Sequence, residues 1–173
     1  MKEDWKNVMN LDQLEYKPWS EGMSYKSESA DISSKMGTKN LGFHAEKLSP
    51  KFFSCPLHCH FAEEELFIVL DGKAMLRQGD KYKEVKKGDI IHFKTGLEFA
   101  HQFYNHTDED FHFIAISNNE DLDICEYPDS KKILTSIAKP EGGHNYSVYQ
   151  KNKEADYWKG EEDPRQYWPK EYL

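Results

Sequence analysis

The segment from residue 56 to 72, PLHCHFAEEELFIVLDG, places two histidines one residue apart ahead of three consecutive glutamates. In an extended strand, residues i and i+2 share a face, so His58 and His60 project side by side while Cys59 points away. Neutral imidazole nitrogens bind divalent transition metals, and a nearby carboxylate supplies an anionic oxygen ligand. The segment therefore predicts most of a metal site.

The carboxylate ligand of this site must come from one of three adjacent glutamates. Glu65 opens the apolar stretch that follows, where its side chain can face back toward the histidine pair, and this favours it over Glu63 and Glu64. The other two still compete for the role, although charges at a strand entrance are usually solvated. His101, early in the segment AHQFY that follows a glycine turn, is the fourth candidate ligand.

Two cysteines flank His58 and offer a different site, in which Cys55, Cys59 and His58 bind zinc. Strand parity argues against it, because Cys59 falls on the face opposite the histidine pair. The other histidines lie in apolar strands or polar segments, where a hydrogen-bonded side chain is the usual role. They are His44, His92, His106, His112 and His144.

Short segments rich in Phe, Ile, Val and Leu alternate with turn signals between residues 40 and 117. Turns at Asp71-Gly72 and Gln78-Gly79-Asp80 separate predicted strands. We expect the strand over residues 100–104 to pair with the strand over 111–117 across their polar link. Many short strands at this spacing predict an all-β sandwich or barrel. The predicted strands cover residues 41–45, 65–70, 73–77, 82–85, 90–93, 100–104 and 111–117.

Parity within these strands also suggests which side chains surround the candidate ligands. Phe67 and Val69 share a face with Glu65, and Phe103 shares a face with His101. These three side chains either line a cavity beside the metal or simply pack the barrel. Asn105, just after its strand, is predicted to stabilise a turn.

Both ends of the chain are polar with scattered aromatic residues. Residues 27–40, SESADISSKMGTKN, are typical of a loop. The aromatic residues favour arms that pack on the barrel or on a second subunit. They include Trp5, Trp19, Tyr157, Trp158 and Trp168. The predicted organisation is an N-terminal arm over residues 1–39, a barrel over 40–118 and a C-terminal arm over 119–173.

Composition limits the classes of partner. The chain has 173 residues, with 31 acidic and 23 basic side chains and a formal net charge of −8. This length fits one domain with extensions, and the acidic balance disfavours a nucleic-acid partner. The N-terminal residues lack the apolar stretch of a signal peptide, and no run of about 18 apolar residues predicts a membrane span. With three cysteines and no disulfide framework, we expect a cytoplasmic protein without a membrane partner.

Two segments of the middle region resemble the paired motifs of the cupin superfamily. Phe52 stands where the first motif usually opens with glycine, Lys94 replaces a usual proline, and two extra residues precede the second-motif histidine. The segments DICEYPDS at 123–130 and DYW at 156–158 resemble a group of small single-domain cupins in which this longer gap is usual. The first motif is matched by His58, His60, Glu65 and Gly72, and the second by Gly88, Gly96, His101 and Asn105.

The resemblance implies an all-β cupin fold, a double-stranded β-helix or jelly-roll barrel with both arms wrapped around it, which forms a homodimer. It also implies one divalent transition metal held by His58, His60, Glu65 and His101, with up to two positions of an octahedron left for water or a bidentate oxygen ligand. Three imidazoles and one carboxylate suit Mn(II), Fe(II), Ni(II), Co(II) and Zn(II) alike.

Two functions are compatible with such a site. One is an enzyme acting on a small oxygen-rich molecule, as sugar-phosphate isomerases, dioxygenases and decarboxylases of the superfamily do. The other is a module that binds a small-molecule ligand without turnover. A phosphorylated substrate would need basic residues near the mouth, for which Lys94 and Arg77 are the candidates. We favour the enzyme, for which the sequence assigns no general acid or base.

Overall fold

Antiparallel strands dominate a computed structural model that describes residues 5, 7–140, 143–151, 163, 165 and 169. Within these residues the chain forms thirteen strands, one short α-helix and two single-turn 3-10 helices. The elements are β1 Lys17–Glu21, β2 Tyr25–Asp31, α1 Ile32–Met36, β3 Gly42–Leu48, β4 Cys59–His60, β5 Glu65–Asp71, β6 Lys73–Gln78, β7 Lys81–Lys86, β8 Ile90–Phe93, β9 His101–Tyr104, β10 Phe111–Ser117, β11 Leu122–Tyr127, β12 Lys132–Ala138 and β13 His144–Gln150.

The strands are arranged in three groups that enclose one interior. The largest sheet has the order β1-β2-β3-β10-β5-β8, a second has the order β13-β12-β11-β4, and a third has the order β7-β6-β9. Every pairing between these strands is antiparallel, and neighbours in a sheet are often distant in sequence, as in a jelly roll. The predicted all-β jelly-roll fold is confirmed.

An aromatic cluster fills this interior. The Phe67 and Phe103 rings have centroids 5.3 Å apart, and Phe113 lies 5.5 Å from Phe67 and 5.7 Å from Phe103. Alternation places these rings on the inner faces of β5, β9 and β10, so burial of apolar surface in the interior stabilises the barrel.

Strand β3 is covered on both faces. Leu48 packs in the aromatic interior, whereas Ala45 packs against Ile32 and Ile114 in a second cluster on the outer side. Since α1 and the segment before β1 cover that outer side, β3 lies in the middle of two layers rather than at a solvated surface.

The loop predicted over residues 27–40 is wrong, because most of that segment forms β2 and α1. β2 pairs with β3 along its length, and Asp31 caps α1 by accepting a hydrogen bond from the Ser34 backbone N–H at 3.0 Å. The strand signal is weak in the sequence because its buried positions carry the small residues Ser27 and Ala30.

The predicted pairing of residues 100–104 with 111–117 is also wrong. β9 pairs with β6, whereas β10 pairs with β3 and β5, so the link between β9 and β10 crosses from one sheet to another. Asn105 organises this crossing, as its predicted turn role requires. Its side-chain amide donates to the carbonyls of Leu48 and Glu109, and its Oδ1 accepts from Thr107.

The C-terminal part of the chain contributes the sheet of β11, β12 and β13, which reaches the barrel through pairing of β11 with β4. The aromatic residues expected to anchor a C-terminal arm, Tyr157, Trp158 and Trp168, lie outside the described residues. Among the described residues, no helix has the length and apolarity to cross a membrane.

Candidate metal centre

His58 and His101 lie opposite each other on antiparallel backbone segments. The His101 N–H donates to the His58 carbonyl at 2.8 Å, and the His58 N–H donates to the His101 carbonyl at 3.3 Å. This pairing sets the two imidazole centroids 4.8 Å apart. The ring of His60 projects on the same side, 5.1 Å from that of His58, as the spacing of two residues predicts.

Glu65, the first residue of β5, reaches these histidines with one carboxylate oxygen. Its Oε2 lies 3.2 Å from His101 Nε2 and 3.5 Å from His60 Nε2. Glu65 Oε2 and His101 Nε2 are both buried, and neither makes a hydrogen bond to any described residue. Buried polar atoms are nearly always paired, so two adjacent unpaired ones leave room for a cation that binds both.

The far nitrogen of each imidazole is hydrogen-bonded, which fixes how each ring is turned. His58 Nδ1 lies 3.0 Å from the Pro56 carbonyl, and His101 Nδ1 lies 3.1 Å from the Phe99 carbonyl. His60 Nδ1 lies 2.6 Å from the carboxylate of Asp123, which is buried on β11. Because Nδ1 of each ring faces one of these acceptors, Nε2 is the nitrogen that each ring can offer to a metal.

The surroundings of the centre favour the ionised carboxylate of Glu65 and the neutral imidazole of His58. Burial opposes the charge on Glu65, but interaction with the neighbouring imidazoles, His101 first, lowers its pKa to about 2. Burial, with the nearby His101, lowers the pKa of His58 to about 4. His60 is different: burial opposes its charge, but hydrogen bonds to Asp123 and Cys125, together with attraction to Glu65, raise its pKa to about 11.

The residues present fit a divalent transition metal. Ligand atoms of His58, His60 and Glu65 all lie within 4.8 Å of one another, and His101 joins this group through Glu65. Imidazole nitrogens and a carboxylate oxygen are suitable donors for such ions, and a bound ion would pair the two unpaired buried atoms. We find all four predicted ligands together at one place in the barrel.

The competing glutamates make other contacts. Glu64 Oε2 lies 3.0 Å from Nε2 of His92, on the exposed side of β8. Glu63 accepts a hydrogen bond from the Glu120 N–H at 3.3 Å, and burial raises its pKa.

The cysteines do not form the alternative zinc site around His58. Cys59 is buried with Leu57 and Ala100, away from the histidine pair. Cys55 Sγ lies 3.6 Å from the Nδ1 of His58, the nitrogen that faces the Pro56 carbonyl, and burial raises the thiol pKa to about 12. Strand parity therefore predicted the position of Cys59 correctly.

The remaining histidines lie outside the centre. His112 contacts the Tyr16 hydroxyl at 2.6 Å, and His106 contacts Glu84 at 3.0 Å, as expected for hydrogen-bonded side chains. His44 and His144 border two separate cavities.

The two cavities lie on either side of His58. The inner cavity, of about 200 Å³, lies inside the barrel between Phe67, Phe103 and Phe113. The outer cavity, of about 290 Å³, lies under the sheet of β11, β12 and β13 and is bordered by Tyr127. His58 borders both, so a ligand in either cavity would touch the candidate centre.

Sequence reasoning missed two carboxylates near this centre, of which Asp123 is buried and Glu46 is partly buried. Asp123 shares a face of β11 with Cys125 and Tyr127, and Glu46 shares the inner face of β3 with His44 and Leu48. Alternation within each strand was the available signal. It could not show which face turned inward without knowledge of the strand pairing.

Comparisons with known proteins agree with this architecture. The profile of the family described as "Cupin domain" matches residues 45–117. No curated protein sequence matches the chain significantly.

Solved structures share the fold at low sequence identity. A sugar phosphate isomerase of the cupin superfamily from Silicibacter pomeroyi is 21% identical, with a TM-score of 0.71 over 83% of this chain and 92% of that one. A protein of Acidithiobacillus ferrooxidans provisionally assigned as a sugar phosphate isomerase is 23% identical, with a TM-score of 0.69 over 82% and 92%. A predicted oxalate decarboxylase from Thermotoga maritima is 24% identical, with a TM-score of 0.54 over 64% and 97%. The motifs, the jelly roll and the matching profile agree, and residues 45–117 therefore form a cupin domain.

Proposed function

We propose that the protein is a metal-dependent enzyme that acts on a small oxygen-rich molecule in the cupin barrel. The observation that supports this most is the pair of buried, unpaired atoms, Glu65 Oε2 and His101 Nε2, beside the inner cavity. The two atoms lie 3.2 Å apart, and with the His101 proton at Nδ1 both are acceptors, so neither satisfies the other. Unpaired polar atoms next to a cavity are a common sign of a functional site.

His58, His60, Glu65 and His101 would hold the metal, which is Mn(II), Fe(II), Ni(II), Co(II) or Zn(II). When bound, such an ion polarises a carbonyl or hydroxyl oxygen of a ligand and lowers the pKa of that oxygen's proton. The ion therefore supplies an electrophile, and the chain supplies its position.

The surrounding residues orient the ligands and limit access of water. The Phe93 ring stacks on His101 with centroids 3.6 Å apart and planes 2° from parallel, which holds that imidazole in one orientation. Asp123 does the same for His60 through its hydrogen bond at 2.6 Å. The rings of Phe67, Phe103 and Phe113 present apolar surface to a ligand bound in the inner cavity.

The neighbouring structures support small-molecule chemistry, since two carry the name of a sugar phosphate isomerase and one the name of an oxalate decarboxylase. Their low identity supports the fold rather than a particular substrate. For this chain we therefore propose the reaction class from its own cavity residues.

Metal analysis of protein purified without chelator tests the site. We expect close to one transition-metal ion per chain in the parent protein and at least a tenfold lower content in His58→Ala. His92→Ala is the matched control, because that histidine contacts Glu64 and should leave the metal content unchanged. Equal metal content in parent and His58→Ala would show that the proposed site is wrong.

Turnover is tested separately with the protein reloaded with each candidate metal. Oxygen uptake by the Fe(II) form detects a dioxygenase, carbon dioxide release from small carboxylic acids detects a decarboxylase, and isomer formation from small sugars detects an isomerase. Binding of a test compound to the centre without turnover in any assay would instead support a non-catalytic small-molecule-binding cupin.

A further inference from the structure

Glu46 is a carboxylate in an interior that is otherwise largely aromatic. It lies on β3, in register with Phe113 of β10, and its side chain is 14% exposed. It lines the inner cavity together with Glu65 and His101 of the candidate centre. Glu46 therefore faces the same space as a ligand held at that centre.

One oxygen of this carboxylate has no partner. Glu46 Oε1 is buried and makes no hydrogen bond to any described residue. Oε2 lies 3.7 Å from His44 Nε2, which is longer than a hydrogen bond. A buried polar atom without a hydrogen-bond partner destabilises a fold, so the position of Oε1 beside a cavity points to an atom that a ligand completes.

The cavity lining also limits the charge of that ligand. Among the described residues that line the inner and outer cavities there is no lysine or arginine. Arg77, one of the two candidates for binding phosphate, makes a two-pronged contact with Asp129 at 2.7 and 3.0 Å, and Lys94 is exposed. A phosphoryl group would find no cationic side chain in either cavity.

The inner cavity limits the size of the ligand. Its volume of about 200 Å³ lies below the range of about 300–1,000 Å³ that is typical of pockets for drug-sized ligands, so a small compound of about three to five carbons fits it.

We propose that Glu46 is the catalytic acid–base group of this enzyme, and that the substrate is an uncharged hydroxycarbonyl compound the size of a triose to a pentose. This inference rests on the proposed function, because it needs an electrophile at the neighbouring centre. It adds the group that moves the proton and excludes phosphorylated sugars as preferred substrates.

The reaction is a redox-neutral isomerisation. The Glu46 carboxylate removes the proton from the carbon that bears a hydroxyl group beside the carbonyl, and the electron pair of that C–H bond forms the C=C bond of an enediol. The same carboxyl group returns the proton to the former carbonyl carbon, while the hydroxyl proton moves to the other oxygen. The product has the same atoms as the substrate, so no oxidant, reductant or co-reactant is required.

Proton exchange with solvent measures this step directly. Metal-loaded protein in deuterated water is incubated with glyceraldehyde, dihydroxyacetone, D-xylose and D-ribose, with D-ribose 5-phosphate for comparison, and deuterium at carbon is followed by NMR. We expect the parent to exchange an unphosphorylated compound at least tenfold faster than the phosphorylated one. Glu46→Gln should lower the exchange rate at least about 100-fold, in the range typical of losing a general acid–base group.

Two controls separate catalysis from structure. Glu28→Gln makes the same charge change on the neighbouring strand β2, where the side chain is exposed, and should leave the exchange rate unchanged. Metal content and the heat of binding of xylitol, an unreactive polyol, should fall less than tenfold in Glu46→Gln, because its amide oxygen still accepts a hydrogen bond.

Each contrary outcome is distinct. An active parent with equally active Glu46→Gln would overturn the role of Glu46 but not the proposed enzyme. Loss of metal from Glu46→Gln would make Glu46 a metal ligand instead of an acid–base group. Faster exchange with D-ribose 5-phosphate than with the unphosphorylated compounds would overturn the proposed substrate class. A parent protein that is inactive on every compound would overturn this inference as a whole. The proposed enzyme function would then be tested by the oxygen-uptake and decarboxylation assays alone.

Discussion

At the scale of single residues, the contact between His60 and Asp123 explains how one imidazole of the centre is fixed. Asp123 accepts from His60 Nδ1 at 2.6 Å and from the Ala62 N–H at 2.9 Å, so it holds both the ligand and the backbone that follows it. A carboxylate behind a metal-binding histidine orients the ring and increases the basicity of its other nitrogen.

Removing this carboxylate should weaken metal binding without removing a ligand. For Asp123→Ala we expect about 10- to 100-fold weaker affinity, as is typical for loss of a hydrogen-bond partner behind a metal ligand. Asp123→Asn should lie between Ala and the parent, because an amide oxygen still accepts from Nδ1 but carries no charge. Titration of the metal against a chelating indicator measures the affinity.

Asp121→Asn is the control for this series, since Asp121 lies two residues away and is exposed. Parent-like affinity in Asp123→Ala would mean that packing alone orients His60.

The four candidate ligands could be predicted from residue type and spacing, because a metal site needs particular donors at strand positions that share a face. Asp123 and Glu46 could not be predicted in the same way. Each is one polar residue in an alternating strand, and its role depends on which distant strand lies beside it. Only the pairing of β11 with β4 and of β10 with β3 brings them near the centre.

At the scale of elements, the turn between β5 and β6 depends on a glycine at Gly72. Its φ is +73°, and a Cβ atom at this position would collide with the backbone carbonyl of Asp110. The turn therefore needs both a left-handed conformation and close approach of another backbone segment.

Gly72→Ala should lower the free energy of unfolding by more than the cost of holding an alanine at positive φ, because the added Cβ also collides with another backbone segment. Gly79→Ala is the matched control, because Gly79 also has a positive φ, +56°, but faces open space. We expect a loss of about 1 kcal/mol for Gly79→Ala and at least about 2 kcal/mol for Gly72→Ala. Urea denaturation of both variants measures the difference, and equal losses would contradict the predicted collision.

The sequence predicts most strands and turns of the barrel correctly but not their partners. Apolar alternation and Gly-containing turns are local signals, and they place β5 to β8 well. The pairing of β9 and β10 with other strands is a property of the jelly-roll path, which no local pattern records. β2 was missed because Ser27 and Ala30 supply its buried positions without a hydrophobic run.

At the scale of the whole molecule, the buried histidines couple global stability to pH. Burial and the neighbouring His101 lower the pKa of His58 to about 4. As the pH falls below the ordinary histidine pKa, His58 is therefore protonated in the unfolded chain while it is still neutral in the folded chain. Burial opposes the charge of His60, but Asp123, Cys125 and Glu65 together raise its pKa to about 11, so it keeps its proton above that pH. The two residues oppose each other around the ordinary histidine pKa, which is about 6.5.

The metal-free protein should therefore lose stability on both sides of about pH 6.5. As the pH falls toward 4, the unfolded chain gains a proton at His58 that the folded chain does not, and the free energy of unfolding decreases. As the pH rises above 6.5, the unfolded chain loses a proton at His60 that the folded chain retains, and the free energy of unfolding again decreases. Each residue contributes a slope of up to about 1.4 kcal/mol per pH unit.

Urea denaturation with chelator present, from pH 5 to 8.5, measures this profile. Changing His58→Gln should flatten the acid side, and Asp123→Asn should flatten the alkaline side. Slopes that are the same in the parent and in both variants would contradict the assignment of these slopes to His58 and His60.

The predicted homodimer and the predicted cytoplasmic location of the chain stay predictions.

Asp123 lies beyond residues 45–117, the segment that matches the cupin family. The matched segment therefore holds the four candidate ligands, while the carboxylate that fixes the angle of His60 lies on a strand outside it. Replacing β11 should accordingly change the orientation of His60 while every candidate ligand stays the same. Engineers who transplant the recognised segment alone would move the ligands and leave part of their tuning behind.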